Sequence, residues 1–257
     1  MRLLATSAVR SNASIRWTPL AIVVLTTLFF TGSFSGASAA ASADAVSQSD
    51  HAHGVHEDVV SDSQIPHLDG PEYSMFMHHS SGLVLMVIAL LLMVDRLQLC
   101  PHAVTTVLIG STWLLFGLFL FIKSDPDEWP ISLSFMESFH RPVTRNEWIQ
   151  HKLLSLIPIL LGAYTLSARR GGQPLIRTYA AAGAALLGGM GLLIHQHFDH
   201  PEFDMVNFQH RLFALTAMCV AGGLIIERLS TITWKAKPFV VPIAILLLGV
   251  QLMLYVE

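Results

Sequence analysis

The sequence predicts an all-α protein: a polytopic transmembrane helix bundle of six mature spans, set as three helical hairpins behind a cleaved signal peptide. Three observations lead there. The chain is 53% hydrophobic and only 13% charged over 257 residues, too apolar for a soluble protein of that size and suited to apolar spans of about twenty residues. Three apolar runs also start on a histidine and close on an arginine, His78 to Arg96, His151 to Arg169 and His210 to Arg228, at a common interval of eighteen residues. At ~1.5 Å per residue that interval is about 27 Å, near the thickness of a hydrocarbon core. Each such run is followed by a second, Pro101 to Phe121, Pro174 to Ile194 and Pro238 to Tyr255, whose opening proline suits a first helical turn.

Taken in order, Arg2, Arg10 and Arg16 precede an apolar run from Leu20 to Phe30, and a small-residue tract with Ala-x-Ala sites follows. This order reads as a signal peptide over residues 1–43, cut near Ala39 or Ala43; an uncleaved signal anchor is the rival. Residues 44–74 carry no Lys or Arg and no helical or strand period, as an exported flexible segment would. Within it His51, His53 and His56 can gather a borderline or soft cation as an accessory site, or simply belong to a polar tail. Residues 75–257 form the six-span domain. Its repeat is visible in the text: Gln150-His-Lys-Leu-Leu-Ser-Leu156 resembles Gln209-His-Arg-Leu-Phe-Ala-Leu215, and Val94-Asp-Arg-Leu97 resembles Ile226-Glu-Arg-Leu229.

Orientation follows from Lys and Arg near the span ends. Arg96, then Arg169, Arg170 and Arg177, then Arg228, Lys235 and Lys237 mark the short turns as cytoplasmic. Both mature termini then lie on the periplasmic side of a bacterial inner membrane, with Trp129 and Trp148 in the outer interfacial belt and Trp234 in the inner one. Every histidine except His102 falls at the outer face. A net charge of −3 gives no basic face for nucleic acid. Cys100 and Cys219 sit at different depths, too far apart for a disulfide, and read as small core residues.

The outer face therefore concentrates metal-ligand chemistry. His78, His151 and His210 stand at one depth on three helices, with His79 as a second choice on the first. His195, His197 and His200 arrive in the loop before His210, and Met75 and Met77 add thioethers. Imidazole suits copper, zinc, iron and nickel, and thioether additionally favours reduced copper. Asp125, Asp127, Glu128 and Glu137 in the loop after the second span can orient imidazoles or remain solvated acids, and Ile131 to Phe139 reads as a short helix rimming the site. Gly188, Gly189 and Gly191 read as packing residues. Between the interfaces the spans carry no charged residue, which weakens a proton-coupled transporter, and no nucleophilic triad or phosphate loop stands out.

The exported His-Met segment, the Met77-His-His79 span start, the Asp125-Pro-Asp-Glu-Trp-Pro130 loop and the Gln-His starts at His151 and His210 resemble bacterial inner-membrane copper-handling proteins of the copper-resistance protein D type, over residues 70–257. That family has more spans than six. The resemblance implies copper, with His78, His151 and His210 as the matching outer-face positions. The expectation is a non-enzymatic protein that binds copper or a similar transition metal in handling, resistance or delivery, with the lipid bilayer, the ion, and a periplasmic metallochaperone or membrane complex as partners. Two alternatives remain: a membrane cytochrome carrying haem b on His151 and His210, and a cofactor-free structural or assembly subunit.

Overall fold

The computed structural model describes residues 70–142, 144–167, 174–194, 204–229, 231 and 234–257. The expected signal peptide and residues His51, His53, His56, His195, His197 and His200 lie outside the described residues. Those residues form helices and no strands: α1 (Pro71–Arg96), α2 (His102–Lys123), a short α3 (Phe135–His140), α4 (Arg145–Ser167), α5 (Pro174–Ile194), α6 (Asp204–Arg228) and α7 (Val240–Met253), the last entered through a 3-10 turn, Lys237–Phe239. Four helices are long and apolar enough to cross a membrane: α1, α2, α4 and Met205–Arg228 of α6. The apolar stretches Thr178–Ile194 and Lys237–Met253 are shorter.

Local chemistry explains the boundaries. Pro71 opens α1 where its missing N–H costs nothing; Glu72 in the first turn and Arg96 in the last complement the helix dipole. Met77, Ser81, Val84, Leu85 and Ile88 make the buried stripe of α1 at helical spacing, while Leu90, Leu115, Leu118, Leu153, Leu160, Leu187, Leu215 and Leu247 are exposed on the outside of the bundle. A soluble surface would not carry that much open leucine.

The three histidine-to-arginine helices begin earlier than the sequence suggests. His78, His151 and His210 are not first residues but lie one to two turns inside α1, α4 and α6, because the polar residues before them still complete helical turns. This shift supplies each histidine with a carbonyl four residues upstream.

Each long helix packs on its neighbours in the chain, and α7 closes on α1, so α1, α2, α4, α5, α6 and α7 form a ring in that order. The expected hairpins are neighbours, but the closest seams are the other three, α2 with α4, α5 with α6, and α1 with α7. Glycine sets them. A Cβ on Gly82 would lie 2.6 Å from the Gly249 carbonyl oxygen, and one on Gly249 would lie 2.8 Å from that of Gly82. Gly117 and Gly162 bring α2 and α4 equally close, and Gly189 rests on Ala214 and Ala217 of α6. Where lipid offers no hydrophobic push between helices, this backbone contact is what small residues provide. Gly188 and Gly191 face Ile157 and Leu154 of α4, so that glycine cluster does pack.

One end of the ring gathers the starts of α1, α4 and α6 and the ends of α2 and α7. There Tyr73 donates to the Lys123 carbonyl at 2.6 Å, and Gln209 Nε2 donates to Val256 O at 2.8 Å while its Oε1 accepts from Val256 N at 3.1 Å. At the opposite end Arg96 pairs with Glu227 at 2.6 Å, Arg228 donates to Thr178 at 2.7 Å, and Asp95 accepts from His102 and Thr105. The histidine ends and arginine ends of the repeat are thus segregated.

Two expectations fail. Trp148 is not an interfacial anchor: it is buried, with its indole N–H donating to the Trp129 carbonyl at 3.1 Å. Cys219 is exposed rather than a core residue, and it and Cys100 are both free thiols.

Gly82→Ala is expected to lower the thermal midpoint of the detergent-solubilised protein, overpacking there costing about 1–3 kcal/mol. Gly183→Ala, where a Cβ meets nothing within 4 Å, should leave it unchanged or raise it slightly. Equal effects at both positions would contradict the seam.

Candidate metal centre

Beyond the end of α7 the chain lays Tyr255 against α1 and α6. The His78 imidazole stacks on the Tyr255 ring at 3.7 Å and 15°, and the His210 ring meets His78 edge-on with centroids 5.6 Å apart. Phe213, one turn beyond His210, closes the group at 5.7 Å from His210 and 6.4 Å from His78. Val206, Phe213 and Tyr255 are almost fully buried here, and Met75 packs against them. Met75 and His78 share a face of α1 at i, i+3, as Val206, His210 and Phe213 share one of α6 at i, i+4, i+7.

The orientation of the two rings is fixed by backbone. His78 Nδ1 donates to Ser74 O at 2.8 Å, and His210 Nδ1 donates to Val206 O at 2.9 Å. A carbonyl can only accept, so the proton is on Nδ1 and a neutral ring carries its lone pair on Nε2. This is the state in which helix-borne histidines bind metals.

His151 is held differently. Its Nδ1 lies 2.7 Å from Asp125 Oδ1, the other oxygen of Asp125 takes the Lys152 ammonium at 3.0 Å, and Lys152 also donates to Ser124 at 3.2 Å. The loop acid that could orient an imidazole is therefore Asp125. Glu147, one turn before His151 and exposed, acts electrostatically on His151, Asp125, Glu257 and His210, which links the His151 corner to the His78 and His210 pair without joining them into one set of ligands.

The remaining candidates separate. His79 Nε2 lies 3.1 Å from Tyr255 O, so this ring donates through the opposite nitrogen and anchors the segment after α7. Met77 is buried on another side of α1 from Met75, and its carbonyl accepts from Ser81. Glu128 is buried and accepts from Arg141 and Thr144 at 3.0 and 2.6 Å, and Glu137 completes a capping box with Ser134; both hold the loop together. Among the described residues no three His, Cys, Asp or Glu side chains gather as a ready metal cage. What the structure assembles is a two-imidazole pair, with Met75 packed against the aromatic cluster that borders it. Tyr255, which the sequence marks only as the end of the last apolar run, is the additional residue of the site.

Burial pushes the Asp125 carboxyl up, but His151 and Lys152 outweigh it and hold it at about 2, below the ordinary 3.8. A depressed folded value means that the stabilisation is complete above the ordinary value and drains away as pH falls through the folded one. Unfolding midpoints of wild type and Asp125→Asn should therefore differ at about pH 6 and converge as pH nears about 2. Parallel curves would show that Asp125 is not held by these two cations.

Compared with family models, with curated proteins and with solved structures, the chain matches none.

Proposed function

We propose that this is a six-span membrane protein that binds copper at the histidine end of its bundle, with His78, His210 and Met75 as donors, in copper handling, resistance or delivery. The observation that carries the reading is the pair of Nδ1 bonds to Ser74 O and Val206 O, which orients two imidazoles whose centroids lie 5.6 Å apart. Two imidazoles that share one ion at about 2.0 Å per bond keep their centroids about 5–6 Å apart. A thioether on the same face of α1 shifts the preference toward reduced copper. His151, supported by Asp125, is the next donor along the same end.

In this reading α5 and α7 complete the span count to six, and the basic ends at Arg96, Arg228, Lys235 and Lys237 face the cytoplasm of a bacterial cell. The ion is then met on the periplasmic side, where a metallochaperone would call. Haem b fits less well: a macrocycle on His210 would need to displace Phe213 and Tyr255, which are almost fully buried against the histidines.

Protein purified from membranes is expected to retain copper by elemental analysis without a Soret band. His78→Ala combined with His210→Ala should weaken copper binding at least about 100-fold, more than loss of an outer-sphere partner does, while Phe76→Leu should not. A Soret band would turn the reading to a cytochrome. Unchanged affinity in the double variant would leave a structural subunit.

A further inference from the structure

The pairing of a methionine with a histidine one turn later occurs a second time, away from this centre. Helix α3 is only six residues long, but it is clamped. Ser134 and Glu137 form a reciprocal capping box, and the buried Ser138 hydroxyl accepts from Trp129 N at 2.8 Å. Phe135 leans on the Trp129 and Trp148 rings at 5.9 and 5.6 Å, and Arg145 lies over Phe139. These contacts set the Phe135 and Phe139 stripe beside Trp129, Trp148 and Arg145, with both rings still exposed, by 50% and 42%. The adjacent stripe, about 100° around the helix, is Met136 and His140, and both are exposed, Met136 by 59%.

His140 Nδ1 donates to Met136 O at 2.7 Å, the same bond that orients His78 and His210. The ring thus carries its proton on Nδ1 and, when neutral, its lone pair on Nε2, while the i, i+4 spacing sets the thioether beside it with Cβ atoms about 5–6 Å apart. A neutral imidazole and a thioether together are a soft donor pair, suited to a monovalent d10 cation and poorly suited to calcium or magnesium, which require oxygen.

The geometry points to Met136 and His140 as a solvent-open, two-donor site for Cu(I), separate from the buried pair and more exchangeable. Its place on the loop at the histidine end makes it a point of first capture. Exposure keeps the site weak, with the Phe139 ring meeting His140 edge-on at 5.9 Å.

Equilibrium dialysis of the intact chain against Ag(I), a redox-inert stand-in for Cu(I), tests this. The Met136→Leu, His140→Ala double variant is expected to bind one Ag(I) fewer per chain than wild type, and Met136→Leu alone to weaken the weaker class of sites about tenfold. Since both residues are exposed, the fold should be unaffected, which an unchanged thermal midpoint would verify. An unchanged number and affinity of Ag(I) ions would overturn the site and leave Met136 as an apolar lipid contact. The His78→Ala, His210→Ala variant separates this result from the buried centre: if it binds as wild type does while the α3 variant loses an ion, the exposed site stands and the buried one falls.

Discussion

The contact between α1 and α7 at Gly82 and Gly249 is the constraint on which the site rests. Each glycine occupies space that a Cβ would need, so the two backbones meet without side chains between them. That contact closes the ring and directs the segment after α7 back across the starts of α1 and α6. Tyr255 then lies under His78, and Val256 is bonded on both sides by the Gln209 amide, next to His210. A wider seam would move Tyr255 away from both histidines at once. The ring architecture thus explains why residues from the first, sixth and last helices share one small volume.

Within that volume the helices do the orienting. A histidine at the very start of a helix has no upstream carbonyl to meet, whereas His78 and His210 sit inside their helices and lock through i−4 bonds. His140 and Met136 repeat the bond on the surface. His151 obtains the same support from a carboxylate, whose other oxygen takes the buried Lys152 ammonium. The i−4 bond alone is common to helical histidines and does not by itself make a ligand. The buried case differs in bringing two such rings together with a thioether among aromatic side chains.

Much of this was legible in the sequence. Composition gave the helical membrane class, the histidine-to-arginine intervals gave the segregation of the two ends, and the residues expected to orient imidazoles included Asp125. The glycines of α5 pack against α4 and α6, as their clustering in the sequence predicts. What escaped was set by partners distant in the chain. The intimacy of Gly82 with Gly249, and hence the α1–α7 seam, depends on two isolated glycines more than 160 residues apart, with no local motif. The expected hairpin partners are neighbours, but small residues, not connection length, decide which helices touch most closely. Trp148 reads as a belt residue until its indole finds the Trp129 carbonyl, and Met136 and His140 stand in a segment whose acids are its stronger sequence signal. For His79 the sequence left the facing of the ring open, and one bond to Tyr255 O decides it.

Copper K-edge X-ray absorption tests the central claim most directly, on the intact chain carrying Met136→Leu and His140→Ala and loaded with a single equivalent of Cu(I). The expected spectrum has imidazole nitrogens at about 2.0 Å and one sulfur at about 2.3 Å, and it should lose its imidazole scattering when His78 and His210 are also replaced by alanine. A spectrum that keeps the same imidazole shell after that replacement would contradict the account.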